Sequence, residues 1–105
     1  MPERRSSERK IVLLEAKWES MSGRHEARVD DVSLGGCFVN THGSVELNEP
    51  VSLHILWGAG VTLNLRGTVA TYQPGVGFGV SFTDLTNEEE AVLKELIASA
   101  VERSI

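Results

Sequence analysis

With 105 residues, 41% of them hydrophobic and 24% charged, the chain fits one domain able to bury a core without disulfides or a structural metal. Its one cysteine, Cys37, excludes an intramolecular disulfide and suits a reducing compartment. A net charge of -5 argues against non-specific binding to nucleic acid.

Met1 to Lys10 has no apolar periodicity and reads as a flexible basic arm, residues 1–10, ahead of a folded domain at 11–105. Arg4, Arg5, Arg9, Lys10, Lys17, Arg24 and Arg28 fall in the first 28 residues, and only Arg66, Lys94 and Arg103 follow. A basic end on an acidic chain points to a small, local anionic target. The arm does not resemble a secretory signal, and no apolar run reaches bilayer-spanning length. A cytoplasmic protein without membrane insertion is expected.

Val12, Leu14, Ala16 and Trp18 take alternate positions between Ile11 and Glu19, which predicts a half-buried strand. Ser20 to Gly23 reads as a turn. Arg24 to Val32 gives a second strand, Ser33 to Gly36 a break, and Gly36 to Asn40 a short third strand around Phe38 and Val39. After a polar loop, Thr41 to Pro50, the alternating Val51, Leu53, Ile55 and Trp57 predict a fourth strand. Gly58-Ala59-Gly60 makes a tight hairpin to Val61, Leu63 and Leu65, whose pattern runs on past Gly67 to Tyr72. A glycine within so long a strand marks a bulge or a bend. Beyond the turn at Gln73-Pro74-Gly75, Val76, Phe78, Val80 and Phe82 alternate with Gly77, Gly79 and Ser81. One face of that strand is nearly bare and open to close approach.

The period then changes. Thr86 and Glu89 have capping-box spacing, and Glu88, Glu89 and Glu90 suit the positive end of a helix dipole. Leu93, Leu96, Ile97, Ala100 and Val101 form one stripe of a helix over 86–104. Six short strands with tight turns, then one helix, predict an all-β barrel with a C-terminal helix.

Catalytic chemistry has no foothold in the pattern. His25, His42 and His54 lack metal-ligand spacing, Cys37 has no CxxC partner, and no nucleophile elbow is present. Gly75, Gly77 and Gly79 alternate within a strand and do not open a helix, so they are no nucleotide loop. Neither an enzyme nor a bound cofactor is expected.

Two features remain. Arg5 and Arg9 stand four apart in the arm, with Arg4 directly before them. Guanidinium groups bond phosphate bidentately and pair with guanine edges. Asp31-Val32-Ser33-Leu34-Gly35-Gly36 adds an acceptor for guanine N–H groups at Asp31 and a hydroxyl at Ser33 that can donate to phosphate or cap a turn. Gly35 and Gly36 allow positive φ and close backbone approach. Taken singly, these read as a solvated basic tail and a strand connection.

Together, Arg-x-x-x-Arg followed by Asp-x-Ser-x-x-Gly resembles the signature of the PilZ family, and the resemblance spans essentially the whole chain. It implies a six-stranded antiparallel β-barrel with a C-terminal helix and binding of cyclic di-GMP. Arg5 and Arg9 would grip phosphate and guanine edges, and Asp31 and Ser33 would meet a guanine and its backbone. Gly35 and Gly36 would keep the turn open. An arginine at Arg4 implies two intercalated ligand molecules per chain. The arm would order over the ligand, and a lone domain would signal to an unidentified protein partner in trans, in control of motility, exopolysaccharide or biofilm. A ligand-independent adaptor is the main alternative. A single-stranded nucleic-acid-binding barrel is opposed by the acidic charge and by aromatics placed on apolar strand faces.

Overall fold

The computed structural model describes residues 10–58 and 60–103. The elements are β1 (Lys10–Ser20), β2 (Gly23–Val32), β3 (Gly36–Asn40), β4 (Pro50–Leu56), β5 (Thr62–Gln73), β6 (Gly77–Thr83) and α1 (Asn87–Arg103). The strands close a barrel in the order β1-β2-β3-β6-β5-β4, each pair antiparallel. Closure removes the unpaired edges that an open sheet would present. The expected six-stranded antiparallel barrel with a C-terminal helix is therefore the fold. No helix among the described residues is long and apolar enough to cross a membrane.

Alternation decides which side chains enter the barrel. Val51, Leu53 and Ile55 of β4 and Leu63, Leu65 and Val69 of β5 are buried. His54 and Asn64 point outward from the same strands, and His54 Nδ1 lies 2.6 Å from Asn64 Oδ1. At the centre, the fully buried Trp18 meets Phe78 edge-on at 4.9 Å and stacks on His25 at 4.2 Å. Its indole N–H donates to Thr41 Oγ1 (3.1 Å), and that hydroxyl donates to the Glu26 carbonyl (3.2 Å). The loop 41–49 is thereby pinned to the barrel, with Val45 buried beneath it.

Helix α1 packs on β1 and β5 through the buried Leu93 and Leu96. Thr86 is its cap: Thr86 Oγ1 accepts from Glu89 N, and Glu89 Oε1 accepts from Thr86 N, both at 3.0 Å. Arg66 on β5 donates to Glu89 (2.8 Å) and to the Asp84 carbonyl (2.9 Å), tying the first helical turn to the barrel.

Gly67 is not a bulge. The β4–β5 and β5–β6 registers run straight through it, and the slip comes between Val69 and Thr71. Gly67 serves close approach instead, since a Cβ there would overlap Val80 Cγ1 and the Ser81 carbonyl.

Candidate functional site

Strand β2 delivers Asp31. Val29, two residues earlier, is fully buried, so regular alternation would turn Asp31 into the core. Two bulges prevent this. Against β1 the register slips between Ile11 and Leu14, so Val12 and Leu13 oppose Asp30 alone. Against β3 it slips between Val29 and Asp31, leaving Asp30 as the extra residue. Alternation resumes one step late: Val32 is fully buried, while Asp30 and Asp31 are both part-exposed. Leu13 takes the strain, with φ of 55° in a region that costs a branched residue roughly 1–3 kcal/mol.

The pairing then sets Ile11, Asp31, Phe38, Gly79 and Thr71 side by side across five strands. Cys37 and Val39 are fully buried, so Phe38 between them faces outward beside Asp31. Gly79 next to it offers no side chain, and a Cβ placed there would meet only Thr71, with Oγ1 at 2.7 Å. The bare face expected on β6 is thus partly taken up by the chain itself.

Ser33 holds the turn from β2 to β3. Its hydroxyl accepts from Gly35 N (3.2 Å) and Gly36 N (3.3 Å) and donates to the Gly36 carbonyl (3.3 Å). Its own N–H reaches the Gly36 carbonyl at 2.8 Å, and Phe82 N on β6 bonds the Gly35 carbonyl at 2.9 Å. A hydroxyl offers one donor and two acceptor sites, and all three are used. Of the two roles open to Ser33, the turn cap is the one its bonds describe. Gly36 does not use positive φ. It is required because a Cβ would run into the Val80 carbonyl of β6, a backbone atom that cannot move aside.

Ser33, Gly35 and Gly36 line a concavity of about 340 Å³ with Thr71, Gly79 and Ser81. Two larger grooves, of about 700 and 490 Å³, border Met21 and hold none of the turn residues. Size alone would favour them, but they bring together none of the residues that the sequence singled out for a ligand, whereas the smaller one is lined by three of them, Ser33, Gly35 and Gly36.

Asp31, Ser33, Gly35 and Gly36 are thus gathered at one end of β2 and β3. Arg4, Arg5 and Arg9 lie outside the described residues. Arg24 and Arg28, which extend the basic stretch in sequence, are strand-face partners of Glu19 and Asp30. Among the described residues, no group of His, Cys, Asp and Glu could hold a metal ion. The sequence does not single out Phe38, Thr71 or Ser81 as surface neighbours of the turn. The signal for Phe38 was present in the buried-type residues on either side of it, whereas Thr71 reaches the site only through a register slip.

A family model of the PilZ domain matches residues 3–99. Among solved structures, the PilZ domain with c-di-GMP of YcgR from Escherichia coli superposes with a TM-score of 0.82 at 13% identity, over 97% of this chain and 95% of that one. The PilZ domain of CeSA from a cellulose-synthesizing bacterium gives 0.70 at 18% identity, over 89% and 97%. The MrkH–c-di-GMP complex from K. pneumonia gives 0.77 at 10% identity; the match covers 99% of this chain and 54% of MrkH. These likenesses are of fold. No curated protein matches the chain.

Proposed function

The chain belongs to the PilZ domain family, and from that premise we propose that it is a non-catalytic receptor for cyclic di-GMP. The observation that carries this reading is where the chain enters the barrel. β1 begins at Lys10, paired with Val32, between Asp31 and Ser33. Arg9 is therefore tethered one residue from the turn and Arg5 five residues from it. Guanidinium groups supplied there would reach phosphate and guanine edges, while Asp31 accepts guanine N–H groups. Ser33, Gly35 and Gly36 serve by shaping the concavity against which the ligand lies. That solved relatives of the same fold carry c-di-GMP supports the choice of ligand.

In this reading the arm ahead of β1, residues 1–9, closes over the ligand and changes the surface beside β1, one of the two strands on which α1 packs. Ligand shifts the arm toward the closed state, and a protein partner in trans reads the new surface. Such a receptor works in the cytoplasm, where a second messenger is made. Arg4 adds a third guanidinium suited to a second, intercalated cyclic di-GMP.

Isothermal titration with cyclic di-GMP tests the reading on the wild type, Arg5→Ala and Arg9→Ala. Binding that collapses in both variants supports it. A folded wild type that takes up no ligand overturns it in favour of a ligand-independent adaptor.

A further inference from the structure

The two bulges that expose Asp31 meet at one residue, Asp30, and Asp30 is itself held. Its Oδ1 accepts from Arg28 Nε at 2.7 Å and its Oδ2 from Asn40 Nδ2 at 3.2 Å. Arg28 and Asn40 face each other directly across β2 and β3, one step before the register slips. Each carboxylate oxygen thus takes one bond, and the extra residue of the bulge is fastened to both strands it interrupts. A bulged residue has lost its place in the ladder, and nothing in the backbone pairing alone fixes which residue bulges. Sliding the extra residue one position forward would make Asp31 the unpaired residue and set Asp30 opposite Phe38, and sliding it one back would set Asp30 opposite the fully buried Val39, where an ionised carboxylate is costly.

We infer that Asp30, clasped by Arg28 and Asn40, is a positioning residue that holds the β2 bulge in place and so aims Asp31 at the ligand. The inference rests on the cyclic di-GMP reading above for its functional consequence, and on the bulge geometry alone for its structural one. Asp30 itself turns its carboxylate to the Arg28–Asn40 pair, and its part in recognition is indirect.

The sign of the effect separates positioning from plain electrostatics. Cyclic di-GMP carries two phosphates, so removing a negative charge next to its site should tighten binding if charge were all that mattered. Loss of the clasp predicts the reverse.

The test uses the full chain with Asp30→Ala and the charge-neutral Asn40→Ala, each alone and combined with Asp31→Ala. Two readouts are taken: titration with cyclic di-GMP, and amide hydrogen exchange of the ligand-free protein at Asp31 to Phe38. The expected result is affinity weakened about five- to tenfold in each single variant, with little further loss once Asp31 is already alanine. Exchange at Asp31 and Phe38 should quicken while the melting temperature stays within a few degrees of wild type. Unchanged or tighter binding by the single variants, or additive losses in the Asp31→Ala background, overturns the inference. Should the wild type bind no cyclic di-GMP, the receptor reading falls separately. Exchange still decides the clasp, with local quickening supporting it and an unchanged profile overturning it.

Discussion

Val29 and Val32 both lie fully buried in the barrel, although an unbroken strand would turn them to opposite faces. The extra residue between them, Asp30, reconciles the two and brings Asp31 outside. Adjacent residues should therefore fail in different ways. Val32→Ala is expected to cost about 2 kcal/mol of stability by opening a cavity, with ligand binding retained in the folded fraction. Asp31→Ala should weaken cyclic di-GMP binding roughly tenfold to a hundredfold, the equivalent of about 1.5–3 kcal/mol for a charged hydrogen bond. Thermal unfolding and calorimetric titration of the pair check this; the reverse pattern would mean that β2 faces the other way.

Ser33→Ala should damage both stability and binding. It leaves the Gly35 and Gly36 amides without the hydroxyl that accepts from them, at a cost of about 1–3 kcal/mol that falls on the buried Gly36 amide, since Gly35 is exposed to water. Binding should fall through a loosened turn, so the variant should show faster amide exchange at Gly35 and Gly36 in the absence of ligand. Weakened binding with unchanged exchange would instead point to direct contact between the hydroxyl and the ligand.

The two glycines beside the concavity should tolerate a methyl group very differently. In Gly36→Ala the new Cβ meets the Val80 carbonyl, so strands must part, and a loss of about 1–3 kcal/mol or more is expected. In Gly79→Ala it meets only Thr71 Oγ1, a side-chain atom that can rotate away. Gly79→Ala should melt within a few degrees of wild type while weakening ligand binding, because it fills part of the concavity. Melting curves and titrations of the two variants, side by side, separate fold from site.

The helix should carry a pH-dependent share of stability. The hydrogen bond from Arg66, followed by the one from Thr86 N, holds the Glu89 carboxyl below the usual carboxylate range. A depressed native pKa contributes stability above the unfolded pKa and loses it as pH falls through the folded one. The stability gap between wild type and Glu89→Gln should thus be present at neutral pH and close in acid, below the ordinary carboxylate range. Thr86→Ala removes the cap itself and should cost about 1 kcal/mol at every pH. Denaturant titrations from neutral to acid pH distinguish the two.

Stoichiometry tests Arg4. Titration of the wild type is expected to saturate near two cyclic di-GMP per chain and that of Arg4→Ala near one. Affinity should fall with added salt in both, because guanidinium–phosphate attraction is screened. Saturation of the wild type at one ligand would remove Arg4 from the site.

Much of the barrel was legible in the sequence because period-2 alternation is a local property. Val51, Leu53 and Ile55 write it in consecutive alternate positions, and Thr86 and Glu89 announce the helix start within four residues. The short motif from Asp31 to Gly36 was legible for the same reason. What it does was not. Ser33 is a turn cap because of bonds closed within the folded turn, and Gly36 is needed because β6 passes behind it. Phe38, Gly79 and Thr71 are far apart in the chain and share a surface only through strand pairing, with a register slip at Val69 to Thr71 that no local pattern marks. Local pattern was enough for the elements, their order and the chemical types available for an anionic ligand. That Asp31 faces outward could be read only from the fold, because the register slips on both sides of β2 depend on β1 and β3, and a single residue of register inverts which side of a strand meets the core.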